Sequence, residues 1–162
     1  MKKTFFVLTA LLVTIAAFAQ KTLPSANIKT LEGQTINVQE LGKTGKITVI
    51  SLWATWCSPC KKELDAIADY YEEWQKKYGM ELVAISIDDA RNMAKVKGEA
   101  LAKEWPYRIL LDPAKELQTA ANIEGVPYTM VLDQNGNIVF EHRGYVSGDE
   151  LELEELFKEL KK

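Results

Sequence analysis

The chain has 162 residues, 20 basic against 23 acidic side chains, a net charge of −3 and an apolar fraction of 47%. That length and apolar content are enough for one compact domain with its own core. A mildly acidic chain without a basic cluster excludes nucleic-acid binding as its work. With two cysteines and none left over, an oxidising compartment poses no risk of mispairing.

In chain order, Met1-Lys2-Lys3-Thr4 precedes Phe5 to Ala19, a run without charge that ends in the small-residue pattern Ala17-Phe18-Ala19. This reads as a secretory signal peptide over residues 1–19, cleaved before Gln20, with residues 20–162 as the mature domain. The run falls short of the ~20 residues that span a bilayer. No cysteine lies near the cut to carry a lipid. Export to the periplasm is therefore the expected location.

Leu23 to Leu41 holds two short alternating runs around Glu32-Gly33, which predicts a β-hairpin. Ile47-Thr48-Val49-Ile50 predicts a buried strand. Residues 60–78 place Leu64, Ile67, Ala68, Tyr71, Trp74 and Tyr78 at helical spacing. Glu81 to Asp88 is a second continuous apolar run, as expected of a central strand covered on both faces. Strand, helix and strand in that order predict a parallel crossover.

Asp89 to Glu104 has a weaker helical pattern interrupted by Gly98, and Tyr107 to Leu111 predicts a short strand. Asp112-Pro113 reads as an N-cap and first-turn proline leading a helix to about Asn122. Tyr128 to Asp133 and Asn137 to Arg143 flank Gln134-Asn135-Gly136 as a second hairpin. Ser147-Gly148-Asp149-Glu150 reads as a capping box before a terminal helix carrying Leu153, Leu156, Phe157 and Leu160. The sum is an α/β fold.

The chemistry concentrates at Trp53-Ala54-Thr55-Trp56-Cys57-Ser58-Pro59-Cys60, between the first buried strand and the long helix. Thiolates attack disulfides, and a helix N-terminus favours the anion, lowering cysteine pKa values to roughly 3.5–7.5. Cys57 is expected at the exposed start of the helix as the attacking sulfur, with Cys60 one turn in as the buried resolving sulfur. A purely structural disulfide is the alternative. Closing so short a loop stabilises by only about 2 kcal/mol, so distant cysteines would make a better staple.

Trp56-Cys57-Ser58-Pro59-Cys60 at a βα junction and Gly125-Val126-Pro127 before a late hairpin resemble thioredoxin. The extra Asp89–Leu111 segment, Asp112-Pro113, Gly125-Val126-Pro127-Tyr128-Thr129 and the signal peptide resemble more closely the exported TlpA/ResA-like thiol-disulfide oxidoreductases. The resemblance covers residues 23–160. It implies a thioredoxin-like fold: a central mixed sheet flanked by helices, with an N-terminal β-hairpin and an inserted αβ element.

It further implies a redox-active pair, Cys57 and Cys60, and a cis Val126-Pro127 bond beside them. The Val126 backbone would pair with an extended substrate strand. Pro59, Gly144 and the aromatic wall Trp53 and Trp56 would line the same groove. Glu63 matches an acid implicated in proton handling at the buried cysteine, because a buried carboxylate with a raised pKa can exchange a proton with Cys60. Thioredoxins place an aspartate six residues before the first cysteine; Ser51 stands there, so Glu63 takes its place. Asp65 occupies a frequent proline position of the family.

The resemblance also implies a protein that reduces disulfides of exported proteins such as apocytochrome c, recycled by a membrane-embedded electron donor; a monomer is expected. That chemistry calls for no cofactor and no metal. Three rivals stand beside it. A peroxiredoxin-like peroxidase needs a Pro-x-x-x-Thr/Ser-x-x-Cys loop, and Leu52 to Cys57 has neither the proline nor the spacing. A copper chaperone would use Cys57, Cys60 and His142, since soft thiolates suit Cu(I). A non-catalytic binding module would keep its activity without Cys57.

Overall fold

The computed structural model describes residues 20–161, and the expected signal peptide, residues 1–19, lies outside them. The two continuous apolar runs form the central strands β3, Thr48–Trp53, and β4, Glu81–Ser86; every residue of β3 is buried. Strands covered on both faces have no need of polar alternation. They pair in parallel from Thr48↔Glu81 to Trp53↔Ser86, and helix α1, Ser58–Tyr78, joins them.

The N-terminal hairpin of β1, Asn27–Thr30, and β2, Thr35–Asn37, forms around Glu32-Gly33 as expected. Strand β5, Arg108–Leu111, lies parallel to β4, and β1 closes that side against β5. On the other side, β6, Tyr128–Leu132, runs antiparallel to β3, and β7, Ile138–Arg143, runs antiparallel to β6. The order β2-β1-β5-β4-β3-β6-β7 makes one mixed sheet, the thioredoxin-like architecture that the sequence implies. The inserted αβ element is α2, Met93–Lys103, followed by β5.

Helix α1 buries Cys60, Glu63, Leu64, Ile67, Tyr71, Trp74 and Tyr78. Its stripe thus includes one acid. Gly79 ends it in the left-handed region (φ 68°), where glycine carries no Cβ penalty. The terminal helix α4, Asp149–Leu160, packs on the same face: Phe157 meets Trp74 edge-on at 5.4 Å between ring centroids. Asp65 does not disturb α1. Its carboxylate accepts the Trp105 indole N–H at 2.9 Å and Lys103 Nζ at 2.6 Å, tying the helix to the inserted element.

Three expected elements differ. Gly98 does not interrupt α2, which is continuous to Lys103. The helix expected after Asp112-Pro113 shrinks to α3, Glu116–Ala120. Asp112 still accepts the N–H groups of Glu116 at 2.7 Å and Gln118 at 3.1 Å. Lys115 turns left-handed (φ 56°) in between, so the helix begins later and is shorter. The capping box is also replaced: Gly148 (φ 109°) caps α4 without a side chain. Asp149 and Glu150 reach back instead, accepting the N–H groups of Val146 at 2.7 Å and Gly148 at 2.9 Å.

Candidate active site

Beyond Trp53 the chain leaves the sheet, and a turn closes with the Cys57 N–H donating to the Ala54 carbonyl at 3.0 Å. Asp88, just past β4, fixes this turn. One of its carboxylate oxygens accepts the Thr55 N–H and the other the Thr55 hydroxyl, both at 2.8 Å. Ser86 Oγ donates to the same carboxylate at 2.8 Å. Neighbouring strand ends thus hold the segment just before Cys57.

Cys57 is the N-cap of α1, and its Sγ accepts the Cys60 N–H at 3.3 Å. Pro59 lies in the first turn, where a missing N–H costs nothing, and no acid stands there to oppose an anion. Cys57 and Cys60 are joined by a disulfide with an S–S distance of 2.00 Å. Cys57 is only 4% exposed and Cys60 is fully buried. The expected order of burial holds, but Cys57 does not stand out into solvent, because its sulfur is drawn back over the helix end by the bond to Cys60.

Trp56 is 68% exposed beside Cys57, as a surface wall requires. Trp53 is not part of that wall. It is fully buried and packs edge-on against Trp105 at 5.0 Å, a core position at the end of a central strand. The Val126-Pro127 bond is cis. Strand register pairs Leu52 with Tyr128, so Pro127 comes one residue beyond that pair, at the end of β3 that leads to the cysteines. The Pro127 carbonyl accepts the Gly144 N–H at 3.0 Å. Gly144 takes a left-handed backbone (φ 89°), and a Cβ there would meet nothing within 4 Å. Val126 has no backbone hydrogen-bond partner among the described residues.

Glu63, one turn beyond Cys60 on α1, is 4% exposed. Ser51 Oγ on β3 donates to its Oε2 at 3.2 Å and Thr129 Oγ1 on β6 to its Oε1 at 2.5 Å. Burial pushes its pKa up to about 7, while the Thr129 and Ser51 hydrogen bonds hold it from rising further. A carboxyl that exchanges its proton near neutrality is what proton transfer at a buried thiol requires. Thr129 and Asp88 were not singled out by sequence reasoning. The available signal was polarity in the wrong place: Ser51 and Thr129 interrupt buried strands, and Asp88 ends one.

His142 is on β7, opposite Thr129, with Nε2 3.3 Å from Asp149 Oδ2. Among the described residues, Cys57, Cys60 and His142 do not form a group that could hold a metal ion. The peroxide-loop rival fares no better, since the Thr55 hydroxyl that would have to face a peroxide is committed to Asp88.

A sheet of this topology, with paired cysteines at the N-terminus of the helix after β3 and a buried acid one turn on, defines a thioredoxin-like thiol-disulfide oxidoreductase. The chain belongs to the AhpC/TSA family, which it matches over residues 19–141. It is 33% identical over 132 residues to the thioredoxin-like protein YneN of Bacillus subtilis, covering 80% of this chain and 74% of that one. It is 26% identical over 132 residues to the thiol-disulfide oxidoreductase ResA of Bacillus thuringiensis, covering 82% and 73%. A thioredoxin-like protein of Porphyromonas gingivalis shares its structure with a TM-score of 0.78 at 39% identity, covering 88% and 94%. StoA of Bacillus subtilis does so with a TM-score of 0.63 at 26% identity, covering 81% and 96%. These relatives set the chain in the TlpA/ResA-like group.

Proposed function

We propose that this protein is a cell-envelope reductant of disulfides in exported proteins, apocytochrome c among them. The observation that carries the reading is the Cys57–Cys60 pair capping α1 with Glu63 buried one turn behind it. In the reduced protein the Cys57 thiolate attacks a client disulfide. A Cys57–client bond forms, the client S–S bond breaks, and one client thiolate leaves. Cys60 then passes its proton to Glu63 and attacks Cys57 Sγ, which forms the Cys57–Cys60 disulfide and releases the second client thiolate. Two electrons go to the client. A membrane-embedded dithiol donor returns them to the pair.

The client strand binds between Trp56, Pro59 and Pro127, pairing its backbone with Val126, whose polar groups have no backbone partner among the described residues. Gly144 shapes the far side by holding the Pro127 carbonyl. The signal-peptide pattern supports export to the periplasm and cleavage before Gln20. No helix of the described residues is long and apolar enough to cross a membrane. We take the working form to be a monomer of the 20–162 domain.

Equilibration of the Cys57–Cys60 couple with glutathione of known potential tests the direction. The expected result is a value near thioredoxin's, about −270 mV; a value near about −120 mV would mark an oxidant and overturn the assignment.

A further inference from the structure

The resolving step leaves a proton on Glu63 at the moment when a client covers the cysteines. Re-reduction of the pair returns a proton to Cys60, and between those two steps Glu63 exchanges its own with water only by a path out of its burial site. Glu63 is 4% exposed, and its two oxygens are taken by Ser51 and Thr129. A cavity touches it, between the start of α1, strands β6 and β7, and the start of α4. Its free volume is about 10 Å³, room for one water molecule. The lining includes Glu63, Thr129, His142, Tyr145, Asp149 and Glu150, and it includes none of Cys57, Trp56, Val126 or Pro127. It is therefore lined apart from those four groove residues.

We propose that His142, paired with Asp149 at the mouth of this cavity, is the port through which Glu63 exchanges its proton with solvent. The inference rests on the role of Glu63 given above. Register pairs His142 directly with Thr129, so both side chains project to the sheet face that carries Glu63. The His142 and Asp149 side chains are 37% and 27% exposed, so the pair spans from the cavity to water.

The other groups around Glu63 are poor carriers. Tyr145 donates to Glu150 at 2.9 Å, and burial with that contact pushes its phenol up to about 12, so it keeps its proton. Glu150 is engaged by Tyr145 and by the Gly148 N–H. Glu152, on the first turn of α4, is exposed. Tyr107, from the β5 side, donates to the Leu64 carbonyl, and burial raises it above the usual phenol range. Imidazole is the side-chain chemistry that takes up and gives off protons between pH 5 and 8. Field effects agree with the placement: His142 favours the Glu63 carboxylate and Asp149 opposes it.

His142 is thus a positioning residue that acts through Glu63, and its signature is kinetic. The test is turnover of insulin disulfides by the purified protein from pH 6 to 9, for wild type, His142→Ala, His142→Gln and Glu63→Gln, with and without added imidazole. The expected result is a loss of about tenfold in turnover for His142→Ala, restored by imidazole; a group acting directly on the reacting proton is worth ~100-fold or more. His142→Gln keeps a polar side chain beside Asp149 and loses the same rate, so it carries the test should the alanine variant not fold. If Glu63→Gln changes the pH profile while both His142 variants match wild type, or if imidazole fails to rescue His142→Ala, the port is wrong and the role of Glu63 stands. If Glu63→Gln itself leaves the profile unchanged, that role fails and the port with it.

Discussion

Burying a carboxyl costs free energy unless the group keeps its proton or finds donors, and Glu63 does some of each. Ser51 and Thr129 supply two donors, yet burial still moves its pKa from the ordinary 4.5 to about 7. The native state therefore holds this proton up to about pH 7, whereas the unfolded chain loses it near 4.5. Between those values the native state binds more protons, so the stability from this group is complete below pH 4.5 and is lost as pH rises through 7. The displacement corresponds to roughly 3 kcal/mol. Urea unfolding of the oxidised protein should show wild type losing about that much more than Glu63→Gln between pH 4.5 and 7.5. Parallel curves for the two proteins would mean that Glu63 is ionised in the native state.

At the scale of elements, the strand-to-helix junction and the β6–β7 hairpin place the chemistry. The hairpin turn is fixed by Asp133, whose carboxylate accepts the N–H groups of Asn135 at 2.9 Å and Asn137 at 2.8 Å. Gly136 then packs against Gly42: an added Cβ would come within 2.4 Å of the Gly42 carbonyl oxygen, and its φ is +82°. Gly136→Ala should therefore cost about 2–4 kcal/mol, a left-handed penalty plus overpacking against rigid backbone. A urea midpoint within error of wild type would show that the two loops move apart freely.

This hairpin, the N-terminal hairpin and both central strands were legible from apolar runs and turn residues. The paired cysteines were legible from their spacing and their place before a helical stripe. What stayed hidden depended on contacts distant in sequence or on backbone turns. Lys115 turning left-handed shortens α3, and Trp105 draws Trp53 into the core. Asp88 reaches Thr55 from another strand end, and Thr129 reaches Glu63 across the sheet. No local pattern encodes such a meeting.

For the molecule as a whole, the sheet order brings four separate stretches of chain to one place. Strand β3 delivers the cysteines, β4 delivers Asp88 to brace them, β6 delivers Thr129 with Pro127 just before it, and β7 delivers His142. The inserted element braces α1 from the far side through Asp65 with Trp105 and Lys103. This arrangement makes sense if the pair of sulfurs cycles between bonded and free forms while electrons pass to a client. The most direct measurement is a single-turnover reaction of the reduced protein with oxidised insulin, followed by thiol titration and mass mapping. The account predicts that Cys57 and Cys60 lose their two thiols to a shared disulfide as two thiols appear on insulin. Thiols that remain on an otherwise titratable and accessible pair, with insulin unreduced, would contradict it.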